Sequence, residues 1–174
     1  MKPFWVLLSL CSSLLYAQQG KDSSPLAMSE KELADSIGVW QVTTEFLNTD
    51  GSVAKVVAGS YAFEWVVPKR VVMGKTAIPE LDMAAGILFY INEAEQLIEM
   101  VSVGKDGKLW VMTGPLGQNY RTTKPFSVPE GKERQLRFTR YNVTSSGFES
   151  KMEYSDDGGS TWAPGNHQVF KREG

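Results

Sequence analysis

Tyr61-Ala62-Phe63-Glu64-Trp65 alternates aromatic residues with a small and a charged one. A β-strand turns successive side chains to opposite faces, so Tyr61, Phe63 and Trp65 share one face and Ala62 and Glu64 the other. Val57 lies on the aromatic face, and the run reads as one long strand over 53–67. Gly59 inside it reads as a bulge or bend. The same period continues along the chain, in runs of Val, Ile, Thr, Tyr, Phe and Trp at 40–47, 70–78, 86–91, 96–103, 108–114, 118–123, 135–141, 148–154 and 168–172. Asp50-Gly51, Asp106-Gly107 and Asp156-Asp157-Gly158-Gly159 mark hairpin turns between them. No crossover helix separates the strands, which disfavours a parallel sheet. The expected fold is all-β, an antiparallel up-and-down barrel of about ten strands that hides its edges by closing on itself.

One short helix precedes the strands. Ser29 and Glu32 have capping-box spacing, and Met28 and Leu33 sit where a hydrophobic staple would. The predicted helix ends near Ile37, with Gly38 as its stop.

Upstream lies an address. Lys2 is followed by an apolar run over 4–15 and then by Tyr16-Ala17 before the polar Gln18-Gln19. That is the layout of a secretory signal peptide, and the run is too short for a bilayer, which needs roughly 20 residues. The expected organisation is a signal peptide over 1–17, a flexible leader over 18–27 and a barrel domain over 28–174. The protein is expected to be exported, periplasmic or secreted, with no stable membrane span once the signal is removed. Cys11 falls inside the signal, so the working chain would carry no cysteine.

Composition narrows the chemistry. The 174 residues hold 18 Lys+Arg against 20 Asp+Glu, a net charge of −2, which gives no basic footprint for nucleic acid. One Cys excludes a disulfide framework and a Cys-based zinc site, and one His excludes paired-His metal motifs. No GxSxG elbow occurs. No metal, cofactor or catalytic residue is assigned, and an enzyme is not expected. Glu64, Glu99 and Arg140 interrupt apolar stretches, and the preferred reading places all three toward solvent. A carboxylate–arginine cluster facing a shared cavity would reopen the catalytic reading.

Gly38-Val39-Trp40, opening the first strand directly after a capped helix, resembles the start of a lipocalin. That resemblance implies a barrel whose Trp40 plugs one end, with a basic residue of the last strand, Lys171 or Arg172, packed across it. Gly38, Trp40 and Arg172 are the residues assigned to barrel closure. A closer resemblance is to a bacterial lipocalin-like (calycin) family of unknown function. It rests on Gly38-x-Trp40, on Tyr61-x-Phe63-x-Trp65 and on the late Asp157-Gly158-Gly159-x-Thr161-Trp162 hairpin. It implies a barrel and no established reaction.

The late hairpin also fits the Asp-box pattern of sialidase propellers, with Ser155, Asp157, Gly159, Thr161 and Trp162 at its key positions. A propeller needs several copies and there is one, so the hairpin reads as a structural turn. Asp156 and Asp157 lack the spaced-oxygen loop that calcium requires. His167 resembles, by its place near the C-terminus, the axial ligand of nitrobindin-like haem barrels, though Gln41-Val42-Thr43-Thr44 follows the Trp where that family has glycines. The preferred reading is a surface-bonded His167 and no haem.

Phe63, Trp65, Met73, Phe89, Met100, Met112, Phe138 and Met152 all fall mid-strand. Thioethers and aromatic faces suit a pocket for a small hydrophobic ligand, and these eight are assigned to its lining. The same residues could equally form a packed core. The leading functional reading is an exported protein that binds a small apolar or amphipathic ligand. The alternative is a non-catalytic envelope module that meets an unknown protein partner through 79–85 and 115–119.

Overall fold

The computed structural model describes residues 24–129 and 131–174. The expected signal peptide, Cys11 and all of the expected leader before Ser24 lie outside the described residues. One helix, α1 (Pro25–Ser36), precedes eleven strands: β1 (Gly38–Leu47), β2 (Val53–Val67), β3 (Val71–Ile78), β4 (Met83–Asn92), β5 (Leu97–Gly104), β6 (Leu109–Pro115), β7 (Tyr120–Thr123), β8 (Phe126–Ser127), β9 (Glu133–Tyr141), β10 (Gly147–Ser155) and β11 (Ala163–Arg172). A one-turn 3-10 helix, Pro79–Leu81, joins β3 to β4.

Ten strands form a closed antiparallel ring in the order β1-β2-β3-β4-β5-β6-β7-β9-β10-β11, with β11 returning to β1. The two-residue β8 pairs only with the start of β9. The barrel read from the period-2 alternation is the observed fold. Gly59 is not a bulge. It pairs with Val42 in an unbroken ladder, and the register shifts fall at Phe46/Leu47 and Trp65/Val67. A side chain at Gly59 would come within 2.8 Å of the Ala77 carbonyl oxygen, so this glycine serves close approach of two backbones.

The helix starts earlier than the capping-box reading has it. Ser24 is the N-cap, its hydroxyl accepting from the Ala27 N–H at 3.2 Å, and Pro25 takes the first helical position, where its fixed φ costs nothing. Pro25, Leu26 and Ala27 therefore belong to the helix, not to the leader. Ser29 lies buried inside α1, and its hydroxyl accepts from the Gly117 N–H at 2.9 Å. Glu32 reaches across to Arg121 instead of back to a cap.

Strand direction places α1 and the turns after β2, β4, β6 and β9 at one end of the barrel. The turns after β1, β3, β5 and β10 lie at the other. The two segments expected to share a contact surface, 79–85 and 115–119, thus sit at opposite ends, and 115–119 is held under α1 by the Ser29–Gly117 bond.

The core is concentrated at the helix end. Leu33, Trp40, Val42, Phe63, Val72, Ile91, Ile98, Leu116, Phe148 and Phe170 form one buried cluster, with Leu26 and Ile37 packed against it. Burying one such side chain is worth roughly 1.5–3 kcal/mol. Phe148 stacks on Phe170 at 4.1 Å between centroids, and Trp40 meets Phe148 edge-on at 5.1 Å. Arg70 ties α1 to the strands, pairing with Glu30 and with Glu93 (2.7 Å).

The last turn of α1 carries no basic residue. Carbonyls near the end of α1 are instead met by arginines from the wall. Arg140 Nη1 donates to the Glu32 carbonyl (2.9 Å), and Arg172 Nη1 donates to the Ile37 carbonyl (2.6 Å). A cation at a helix C-terminus is favourable against the helix dipole.

Candidate functional site

Closing the barrel over α1 leaves a cavity of about 150 Å³ between the helix and the barrel interior. Leu33 and Ser36 face it from α1, and the wall is largely aromatic. Of the eight residues assigned to a pocket, Phe63, Phe89, Met100, Phe138 and Met152 line this cavity. Met112 points inward and is 2% exposed, but does not line it. Trp65 packs against the core cluster. Met73 is on the outer face, 39% exposed, because its neighbours Val72 and Gly74 take the inward positions of β3.

The cavity's inner boundary is polar. Gln168 Nε2 donates to Thr44 Oγ1 at 3.0 Å and to the Tyr61 hydroxyl at 3.1 Å, and Ser150 Oγ donates to Gln168 Oε1 at 3.3 Å. This belt spans β1, β2, β10 and β11. Burial raises the Tyr61 pKa above its ordinary value, so the phenol stays neutral and hydrogen-bonded. Beyond Tyr61, a second space of about 320 Å³ lies toward the far end, bordered by Thr76, Ile78, Ser102 and Trp110.

Two arginines face the first cavity. Arg121 on β7 is 1% exposed and pairs through Nη2 with Glu32 Oε1 at 2.7 Å. Arg140 on β9 is 4% exposed and donates through Nη1 to the Glu32 carbonyl and to Ser36 Oγ (3.1 Å). Its guanidinium carbon lies 3.9 Å from the centre of the Phe148 ring. Four of their buried nitrogens, Arg121 Nε and Nη1 and Arg140 Nε and Nη2, have no hydrogen-bond partner among the described residues. Leaving a buried donor unmet costs roughly 1–3 kcal/mol each, more on a charged group. Burial lowers the Arg140 pKa, and nearby Arg121 and Arg172 add to this, while Glu32 and Asp35 oppose it.

Arg140 therefore departs from its expected solvent placement. Glu64 and Glu99 do face outward, Glu99 accepting from the Tyr90 hydroxyl at 2.8 Å and from Asn92 at 3.0 Å. Arg121 is absent from the sequence assignments. Tyr120-Arg121-Thr122-Thr123 is polar at every second position in both registers, so its alternation carries no inward signal. Phe148 had a readable signal, since it shares a face with Met152 in the 148–154 alternation.

Gly38, Trp40 and Arg172 meet at the helix end. The Arg172 guanidinium lies over the Trp40 ring at 4.3 Å. Trp40 Nε1 donates to the Ser36 carbonyl at 2.8 Å. Gly38 has φ of +127°, and a side chain there would fall 2.5 Å from Arg172 Nη1. That positive φ favours glycine, and an added side chain would also push the Arg172 guanidinium aside.

His167 sits mid-strand in β11 on the outer wall. Nδ1 bonds Glu45 Oε2 at 3.0 Å, Nε2 bonds Glu149 Oε2 at 2.9 Å, and the ring stacks on Tyr141. Both nitrogens are engaged away from the interior, so the ring is not aimed at a haem inside the barrel. Partial burial works against its charge, but the hydrogen bonds to Glu45 and Glu149 prevail and raise its pKa.

The Asp-box-like hairpin is a self-contained turn between β10 and β11. Asp157 accepts from the Thr161 N–H (2.9 Å) and hydroxyl (2.6 Å) and from the Ser155 hydroxyl (2.7 Å), which holds its pKa down at about 2. Ser155 Oγ in turn accepts from the Gly159 N–H, and Trp162 Nε1 donates to the Gly159 carbonyl. Asp156 is bound by Arg134 through two nitrogens, at 2.7 and 2.8 Å. The two carboxylates are occupied within the protein. No group of three or more His, Cys, Asp or Glu suited to a metal occurs among the described residues. None of the described helices is long and apolar enough to cross a membrane.

No family model matches the chain, and no curated protein does. Among solved structures it is similar to a protein described as EF1p2_mFAP2b bound to DFHBI, at 14% identity and a TM-score of 0.40, covering 84% of this chain and 98% of that one. It is also similar to a protein of unknown function from the DUF3598 family of Nostoc punctiforme, at 9% identity and a TM-score of 0.27, covering 83% and 99%. Neither likeness is close enough to lend this chain a property of the other protein.

Proposed function

We propose that this chain is an exported, lipocalin-like, non-catalytic barrel that binds a small apolar or amphipathic molecule beneath α1. The observation that carries this reading is the cavity of about 150 Å³ walled by Phe63, Phe89, Met100, Phe138 and Met152. A cavity of about this size accepts a benzene-sized guest. The Gly38–Trp40–Arg172 closure supports the lipocalin-like assignment. The non-catalytic reading is supported by the polar groups at the cavity. Glu32 is held by Arg121, Tyr61 is held by Gln168, and guanidinium groups do not exchange protons near neutral pH.

Native mass spectrometry of the protein from its own host, with thermal titration by benzene and toluene, tests the binding reading. A copurifying small molecule, or a rise in Tm saturating with either probe, is expected. Phe89→Trp, which fills the cavity, should abolish the response. If the barrel carries nothing and neither probe shifts Tm, the binding reading fails. Export is tested by N-terminal sequencing of the periplasmic or secreted protein, which should begin at Gln18. An uncut chain confined to the cytoplasm would remove that part of the proposal.

A further inference from the structure

The cavity is polar at both ends but charged at only one. Its walls are phenylalanine and methionine, while its helix end presents two buried guanidiniums with four unmet nitrogens. Both arginines bond the same residue, Arg121 through the Glu32 carboxylate and Arg140 through the Glu32 backbone carbonyl, so they are neighbours. Among the described residues only one carboxylate, Glu32, lies within hydrogen-bond distance of the pair, and Asp35 is tied to Lys31 on the outside of the helix. Within hydrogen-bond distance two cations face one anion, and the next charges out, Arg172 and Asp35, act on Arg140 in opposite senses, so this buried end stays short of one negative charge.

We propose that this end is a carboxylate subsite, in which Arg121 and Arg140 together hold the head group of a small aromatic or short-chain carboxylic acid whose tail lies among Phe63, Phe89 and Phe138. The inference rests on the ligand-binding reading above and adds the class of ligand. A guanidinium offers a planar fork of N–H donors that matches a carboxylate, and hydrogen bonds between ionised partners are the stronger kind. One monoanion balances the cluster and meets the donors that the protein leaves open. The aromatic wall accepts the tail, and the cavity volume limits the whole ligand to about the size of benzoate or hexanoate.

The test compares each acid with its neutral counterpart on the intact protein at pH 7, by calorimetry. Benzoate against benzyl alcohol and hexanoate against hexanol should each differ by roughly tenfold or more in favour of the anion. The side-chain Nε–H signals of Arg121 and Arg140 should shift on adding benzoate. Arg121→Gln should erase the preference for the anion. Glu32→Gln, which removes the competing internal charge, should tighten benzoate binding, a gain that poor folding would not produce. Equal binding of acid and alcohol, or benzoate binding with both Nε–H signals unmoved, would overturn the subsite while leaving the cavity reading intact. If neither the acids nor the neutral probes bind, the proposed function itself falls.

Discussion

The Arg172 guanidinium rests 4.3 Å over the Trp40 ring and at the same time donates to the Ile37 carbonyl, so the last strand locks both the plug and the end of α1. A cation–π contact at a partly exposed site is worth about 0.5–1 kcal/mol and a net hydrogen bond about as much again. Arg172→Met should therefore lower unfolding stability by about 1–2 kcal/mol in urea. Gly38→Ala, forced to φ +127° and into Arg172, should cost more than Arg172→Met. An equal or smaller loss for Gly38→Ala would refute the steric reading.

Leu33 is 1% exposed and faces the cavity from α1. Leu33→Ala should cost about 2–5 kcal/mol, as truncation of a fully buried leucine does. It also enlarges the cavity, so bulkier guests such as naphthalene should bind the variant better than the parent. A stability loss below about 1 kcal/mol would mean that the helix does not plug the barrel.

Met73 and Met112 separate the two sides of the wall. Met112→Ala should cost about 2–5 kcal/mol, whereas Met73→Thr should stay within about 0.5 kcal/mol. Similar losses for both, measured by chemical unfolding, would contradict the assignment of Met73 to the outer face.

His167 makes stability depend on pH. Its folded pKa is raised above 6.5, so its contribution is complete below that pH and is lost as pH rises through the folded value. Glu149 is lowered below 4.5, chiefly by the hydrogen bonds from Asn142 and His167. Its contribution is present above 4.5 and disappears as pH falls through the lowered value. Thermal unfolding across pH 5 to 9 should show a decline on the alkaline side that His167→Gln flattens. An unchanged profile in that variant would assign the decline to other groups.

Asp157, with its pKa near 2, should hold the β10–β11 turn down to strongly acidic pH. Asp157→Ala removes the acceptor for the Thr161 N–H, and hydrogen exchange at Thr161 should quicken while cavity-facing strands keep their protection. Exchange spreading through β10 and β11 would show that the turn is more than a local device.

Much of the barrel is legible because its signals are local. Strand alternation and Asp-Gly turns act over two to eight residues, and ten strands without a crossover leave closure as the way to cover the edges. Side assignment fails where both registers look alike. Val71-Val72-Met73 is apolar at every position, and only pairing with β2 and β4 turns Val72 inward and Met73 out. The helix start is misplaced because Ser29 and Glu32 have capping-box spacing yet are spent on Gly117 and Arg121, partners 88 and 89 residues away.

By itself, the sequence determined the fold class, the approximate strands, the aromatic face of β2 and the Asp-box turn, since each depends on neighbours within one element. The tertiary structure alone decided that Arg140 turns inward and that Arg121 joins it beside Glu32. Those facts depend on ring closure, which places β7 and β9 side by side and α1 against both, and no period within a single strand encodes which charged residue then loses its water.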